Sequence, residues 1–285
     1  MSFERIGIVG SGIMGSGIAE VSSRSGAEVL LHDVDADRAE AALERIGRSL
    51  QRAVDAGKLD PERAEAARGR LAATDDLGAL ADRELVIEAI VEEESAKLEV
   101  FAALDGLLGK EAIVASNTSS IPIMKLAMAT DRRDRIAGLH FFNPVPVLPL
   151  VELVPSLLTS DETADRLRAF AEDQLGKHVI VSHDRAGFIV NALLIPYILA
   201  AIRMLESGFA SAADIDAGMV KGAAHPMGPL ALADLIGLDT TQAVATSMYE
   251  EFKEPLFAPP PLLARMVDAG LLGRKARRGF LTYDR

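Results

Sequence analysis

The chain has 285 residues, of which 49% are hydrophobic, and a formal net charge of −12. That length supplies one large domain or two ordinary ones with a real core, and the absence of cysteine excludes disulfides and cysteine-ligated metals. The acidic balance argues against general nucleic-acid binding, which needs a basic surface, and an anionic substrate would need a local basic patch.

Ile6, Ile8 and Val9 read as a short buried strand, and Gly10-Ser-Gly12-Ile-Met-Gly15 follows at its end as G-x-G-x-x-G. Ile13, Met14, Ile18, Ala19 and Val21 continue at helical spacing up to Gly26. Glu28-Val-Leu-Leu31 gives a second strand, closed by His32-Asp33. Each residue type has a job. Gly10 permits a tight turn, Gly12 lets a pyrophosphate approach the backbone, and Gly15 lets the helix pack on the sheet. The helix N-terminus, with Ile13 and Met14, offers unpaired N–H groups to the phosphates. Asp33 can accept from a ribose diol and repels a 2′-phosphate. The stretch is therefore a dinucleotide site favouring NAD over NADP.

Asp35 begins a long polar helix with an apolar stripe at Ala39, Ala42, Leu43, Ile46, Leu50 and Val54, and Asp60-Pro61 restarts a second one. The two read as a helical pair inserted into an α/β pattern. Further strands are expected at 71–74, 84–90, 112–116, 135–140, 150–154 and 177–182, with helices from about 97 to 108 and from 162 to 175. The whole reads as a doubly wound, mostly parallel sheet of Rossmann type over residues 1–185. After Asp184 only helical signals remain, so an all-α domain is expected over 186–285. The apolar stretch 188–205 is its central helix, kinked at Pro196 and buried in a bundle or dimer core rather than in a membrane. The N-terminus opens directly on a strand, without a leader pattern, so a cytoplasmic location is expected.

Polar residues gather just past several strands, where open α/β sheets bind ligands: Asp33, Asn117, Ser119 and His140. None of the five histidines makes a metal-ligand spacing with another, so no metal is expected. An isolated histidine is more often structural, but Glu152 lies in the apolar strand Leu150-Val-Glu-Leu-Val154, where a buried carboxylate needs a partner. A His140–Glu152 pair would hold one imidazole tautomer, as suits a base taking a proton from an alcohol. The competing reading puts Glu152 at the surface of an edge strand. Ser119 and Ser120 either cap a helix at 121–129 or bind ligand. Asn191, polar in an apolar helix, either bonds a neighbouring backbone or reaches a cleft. Arg274-Lys-Ala-Arg-Arg278 is the best basic patch for an anionic substrate, or else a solvated tail.

The residues alone lead to an NAD-dependent oxidoreductase without a substrate. Beyond that, the chain resembles the 3-hydroxyacyl-CoA dehydrogenase family, in its 3-hydroxybutyryl-CoA branch, over nearly its full length. The resemblance is carried by the glycine motif, Val86-Ile-Glu-Ala-Ile-Val-Glu92, Ser116-Asn-Thr-Ser-Ser120, His140-Phe-Phe-Asn-Pro-Val-Pro146 with Val151-Glu152, and Gly187-Phe-Ile-Val-Asn191. Pro226-Met-Gly-Pro229, Gly237-Leu-Asp239, Gly273-Arg-Lys275 and Gly279-Phe280 extend it. It implies that His140 is the general base, that Glu152 orients it and stabilises its charged form, and that Ser119 and Asn191 position the substrate. It also implies that Glu92, Lys97 and Asn117 lie on the cofactor side or in the cleft, that the substrate is an acyl-CoA thioester, and that the helical domain forms a homodimer. Such a role belongs to fatty-acid and lipid metabolism.

The chain departs from the family pattern at Pro149, Ala186, His225, Ala276 to Arg278 and Leu281, which bear on acyl-chain preference and C-terminal contacts. Two rival readings stay open: a dehydrogenase of a free hydroxyacid or sugar acid, and a cofactor-binding protein without turnover.

Overall fold

The alternation of short apolar strands with amphipathic helices builds two compact units that part between Asp184 and Arg185. The computed structural model describes residues 2–283. In the first unit eight strands form one sheet: β1 (Arg5–Val9), β2 (Glu28–His32), β3 (Leu71–Thr74), β4 (Leu85–Glu88), β5 (Ile113–Ser116), β6 (Ile136–Phe141), β7 (Leu150–Pro155) and β8 (His178–Val181). Their order is β3-β2-β1-β4-β5-β6-β7-β8. Every neighbouring pair is parallel except β6–β7, which is antiparallel. Because β7 has a neighbour on either side, Glu152 does not sit on an edge strand, and the surface reading of that residue is overturned.

Six helices complete the unit: α1 (Ile13–Arg24), α2 (Ala36–Asp55), α3 (Pro61–Arg68), α4 (Glu94–Leu107), α5 (Ile123–Ala127) and α6 (Asp161–Ala169). The expected inserted pair is α2 and α3. Asp35 accepts from the Arg38 N–H and Asp60 from those of Glu62 and Arg63, so each helix starts at a carboxylate cap. Such caps are worth about 1 kcal/mol each. On α2 the residues Ala39, Ala42, Ile46 and Leu50 are buried against the sheet side, while its other faces carry charge. Each of the large aliphatics contributes roughly 1.5–3 kcal/mol by leaving water. The helix expected over 162–175 divides: α6 stops at Ala169, and Phe170–Gln174 forms one π-helical turn. Phe170 is buried there with its ring edge-on to Phe3, 5.6 Å between centroids, which ties the turn to the chain start.

The second unit is helical: α7 (Val190–Glu206), α8 (Ala212–Gly222), α9 (Pro229–Ile236), α10 (Leu238–Phe252) and α11 (Pro261–Asp268). Its core gathers Ile195, Ile198, Leu199 and Ile202 of α7 with Leu230, Leu238, Met248 and Leu263. Buried and half-buried polar groups serve as fasteners. Asp216 accepts from Leu230 N and Ala231 N and so caps α9, and the Arg203 guanidinium donates to the carbonyls of Pro255, Leu256 and Ala258. Asp234 accepts from Phe280 N, Leu281 N and the Tyr283 hydroxyl, which pins the C-terminal segment. Among the described residues no helix is long and apolar enough to cross a membrane.

Candidate active site

The glycine turn has the shape its sequence demands. Gly10 sits at φ +104°, and a Cβ there would lie 2.5 Å from the Ala89 carbonyl oxygen. A Cβ on Gly15 would lie 1.8 Å from the Gly10 carbonyl oxygen, so α1 can start this close to the turn only without a side chain. At Gly12 nothing lies within 4 Å of such a Cβ. Gly12 is also the N-cap of α1, and no side chain occupies the first N–H groups of that helix. A close backbone approach, open space and unpaired donors together fit a pyrophosphate.

Asp33 closes this turn from β2. Its Oδ2 accepts from the Ser11 N–H at 2.9 Å and from the Ser11 hydroxyl at 2.6 Å. Burial opposes ionisation of Asp33 most strongly, but these two bonds and Arg38 outweigh it and hold the carboxyl below its ordinary range. Arg45, on α2, donates to the Ser11 carbonyl and to the Ser16 hydroxyl. The inserted helix thus braces the turn from outside, a role that a single arginine on a polar helix does not announce in the sequence. Ile13, Val34 and Val91 are 69%, 84% and 67% exposed. Each follows the carboxyl end of β1, β2 or β4, three adjacent strands. Val34 and Val91 did not stand out in the sequence, although an aliphatic beside an acid at a strand end is a usable signal.

Past β4 lies an ionic cluster around the buried Glu88 and Lys97, with Glu92 at its exposed rim. Lys97, 1% exposed on α4, donates to Glu88 Oε1 at 2.6 Å and pairs with Glu92 Oε2 at 3.2 Å. Glu88 also accepts from Ile90 N and, through Oε2, from the Ser116 hydroxyl at 2.6 Å. Glu92 Oε1 accepts from the Thr118 and Ser120 hydroxyls and from the Ser119 N–H at 3.0 Å. Burial again works against the Glu92 charge, and Lys97, Thr118 and Ser119 overcome it, so its pKa is lowered. Ser119 is therefore held by Glu92. Neither Ser119 nor Ser120 caps the following helix, which corrects that alternative: the Ile123 and Met124 N–H groups of α5 go to the Asp184 carboxylate, both at 2.7 Å.

The fourth part joins β6 to β7. In the antiparallel register His140 pairs with Glu152, and Nδ1 lies 2.7 Å from Oε2. The imidazole is 6% exposed and the carboxylate 0%. The Phe142 ring packs on the imidazole at 4.6 Å. Asn117, at the end of β5, accepts from Phe141 N through its side-chain carbonyl at 2.9 Å, tying the ends of β5 and β6 together. The loop between the strands contains the cis Asn143–Pro144 bond and is held by Lys177, whose ammonium donates to the carbonyls of Val145 and Leu148. Gly17 lets Val145 approach α1. A carboxylate on Nδ1 fixes the proton there and makes Nε2 the accepting nitrogen.

Comparison with known proteins adds the chemical family. Residues 5–185 match the 3-hydroxyacyl-CoA dehydrogenase NAD binding domain, and residues 187–283 match the C-terminal domain of the same enzymes. The chain belongs to the 3-hydroxyacyl-CoA dehydrogenase family. It is 56% identical over 283 residues to a 3-hydroxybutyryl-CoA dehydrogenase of Mycobacterium tuberculosis, covering 99% of either chain. The crystal structure of M. tuberculosis FadB2 superposes with a TM-score of 0.98 at 55% identity, covering 100% of both chains. The (S)-3-hydroxybutyryl-CoA dehydrogenase PaaH1 of Ralstonia eutropha superposes with a TM-score of 0.94 at 42% identity, covering 99% of this chain and 100% of that one.

In this 3-hydroxyacyl-CoA dehydrogenase, an NAD-dependent oxidoreductase, the glycine turn, Asp33, the Glu92 cluster and the His140–Glu152 pair all lie in the first unit. Asn191 belongs to the second unit, half-buried in the first turn of α7. In the basic patch Lys275 pairs with Asp239 and Arg274 lies over the Tyr283 ring, so those two cations already have partners. Glu88, Ser116 and Thr118 lie in segments that carry the resemblance, but the sequence assigns them no role. Glu88 ends the apolar run Leu85-Val-Ile-Glu88, the same signal of a buried carboxylate that singled out Glu152.

Proposed function

We propose that this chain catalyses the reversible NAD-dependent oxidation of a short (S)-3-hydroxyacyl-CoA, of the 3-hydroxybutyryl type, to the 3-oxoacyl-CoA. The observation that carries the reading is the buried His140–Glu152 pair at the ends of two strands in the sheet whose first strand runs into the dinucleotide turn. Gly10, Gly12, Ile13, Met14 and Gly15 would hold the pyrophosphate, Asp33 the ribose diol, and Ile13, Val34 and Val91 the apolar faces of the adenosine end. When bound, NAD would supply the acceptor for the hydride that leaves C3. His140 takes the 3-hydroxyl proton on Nε2 as that bond pair departs, and the C3–O bond becomes the carbonyl. Glu152 keeps Nδ1 protonated and stabilises the imidazolium that forms. In the reverse direction the same imidazolium returns its proton to the carbonyl oxygen.

Ser119 and Asn191 are read as the groups that bind the substrate's reacting oxygen and thioester. Glu92, Lys97 and Asn117 are read as positioning groups within the first unit: Glu92 fixes the Ser119 backbone, Lys97 fixes Glu92, and Asn117 fixes the strand end that carries His140. The helical unit is read as the dimerisation part. Leu193 and Phe209 are 74% and 79% exposed there, which supports a partner on that unit. Its place is read as cytoplasmic and in fatty-acid metabolism. The test is NADH oxidation with acetoacetyl-CoA before and after His140→Gln. Loss of on the order of 10²–10⁴-fold in kcat supports the assignment, and unchanged turnover refutes it. Free acetoacetate as substrate separates this reading from a free-hydroxyacid dehydrogenase.

A further inference from the structure

A concave site in the first unit shares only Lys177 with the candidate active site described above. It is a cavity of about 220 Å³ between the end of α1, the start of α3, the loop after β6 and the segment before β8. Every charged side chain on its lining is a cation: Arg24, Arg63 and Lys177. In a chain of net charge −12 this local excess stands out. The counter-charges are few. Arg24 has Glu20 at 3.6 Å, and Glu20 is itself 2% exposed and set back from the cavity lining. Among the described residues Arg63 and Lys177 form no ion pair with a carboxylate. Lys177 has three N–H groups, of which two go to Val145 O at 2.6 Å and Leu148 O at 2.7 Å, leaving one for a ligand. Burial, and next the charge of Arg24, lowers the Lys177 pKa, and the Glu20 carboxylate offsets them only in part.

We propose that this cavity binds a phosphate dianion between Arg24, Arg63 and Lys177. Two arginines and a lysine lining one cavity suit a tetrahedral dianion, since guanidinium donates in pairs to phosphate oxygens and the ammonium adds a point charge. Occupancy has a route to the catalytic strands. Lys177 holds the loop that leaves β6 just after His140 and enters β7 just before Glu152, so an anion drawn to its ammonium acts on the loop between the two. The phosphate has two possible sources. It is either a phosphoryl group on the nucleotide end of the thioester substrate or a separate phosphate-bearing small molecule. The binding claim stands apart from the proposed reaction, and only the assignment of source rests on it.

The experiment has two arms on the full chain. Calorimetric titration with inorganic phosphate compares the native protein with Arg24→Gln, Arg63→Gln and, as a charge control elsewhere, Lys110→Gln. The expected result is binding by the native chain and the control, weakened about tenfold or more in either arginine variant. The second arm compares KM for acetoacetyl-CoA and for acetoacetyl-dephospho-CoA, with and without added phosphate. If the substrate supplies the group, removing its 3′-phosphate raises KM in the native protein and not in Arg63→Gln. If a separate molecule supplies it, the two thioesters behave alike, and added phosphate shifts KM or kcat in the native protein only. The proposal is overturned if the arginine variants match the control in both arms. Calorimetry needs no turnover, so an inactive chain that binds phosphate would refute the reaction and leave this site standing.

Discussion

Asp33 is bonded twice to Ser11, through the backbone N–H at 2.9 Å and the hydroxyl at 2.6 Å, both on Oδ2. One carboxylate thus shapes the glycine turn and is also the group assigned to the ribose. The two duties separate by mutation. Ser11→Ala removes one charge-assisted hydrogen bond, about 1.5–3 kcal/mol, and should raise KM for NAD roughly ten- to a hundred-fold while NAD stays preferred over NADP. Asp33→Ala removes the repulsion of a 2′-phosphate as well, so the NAD to NADP ratio of kcat/KM should fall. Steady-state kinetics with both cofactors decides; an unchanged ratio in Asp33→Ala would show that the acid only shapes the turn.

The His140–Glu152 pair predicts a split between binding and chemistry. Glu152→Gln keeps a hydrogen-bonding group beside Nδ1 but removes the charge that stabilises the imidazolium. kcat should drop on the order of 10²-fold or more, while NADH affinity, read by cofactor fluorescence, stays within about twofold. A variant that loses cofactor affinity and keeps kcat would place Glu152 in the binding machinery instead.

That pair was legible in the sequence because its cause is local: an acid inside the apolar run Leu150 to Val154 has to find a partner. The glycine turn was legible for the same reason, since Gly10 and Gly15 each answer a steric demand of their own neighbours. What could not be read depends on chain reversal and distance. The antiparallel entry of β7 between β6 and β8 decides that Glu152 is interior, and no strand pattern announces pairing direction. The carboxylate that caps α5 comes from Asp184, 61 residues beyond Ile123, so the nearby serines looked like the natural candidates. Lys177 and Arg45 act on loops 32 and 34 residues away in sequence. A lone basic residue carries no mark of such a target.

Lys97 sets the next prediction. It is enclosed between Glu88 and Glu92, so Lys97→Met leaves two carboxylates without their cation, at a cost of about 3–5 kcal/mol. Lys97→Met with Glu88→Gln should recover part of the lost melting temperature, because one of the stranded charges is gone. Glu92 adds a pH signature. Its folded-state pKa is lowered from the ordinary 4.5, so its stabilising contribution is complete above that value and is lost as pH falls through the lower, folded-state value. The difference in melting temperature between the native chain and Glu92→Gln should be constant above pH 4.5 and shrink below it. A difference that grows on acidification would reverse the assigned sign.

Two glycines of the same motif should fail in different ways. At Gly12 a methyl group enters open space, so Gly12→Ala should keep the native melting temperature within about 1 kcal/mol of stability. The methyl fills the space assigned to the pyrophosphate, so NAD affinity should fall by at least about tenfold. At Gly15 the Cβ would lie 1.8 Å from the Gly10 carbonyl oxygen, and neither backbone can yield without moving α1 off the sheet. Gly15→Ala should therefore lower the melting temperature of the protein alone, before any cofactor is added, as well as abolish binding. Thermal melts with and without NAD distinguish the two. Equal destabilisation in both variants would mean that Gly12 serves packing, and the case for a phosphate over its backbone would lose its main support.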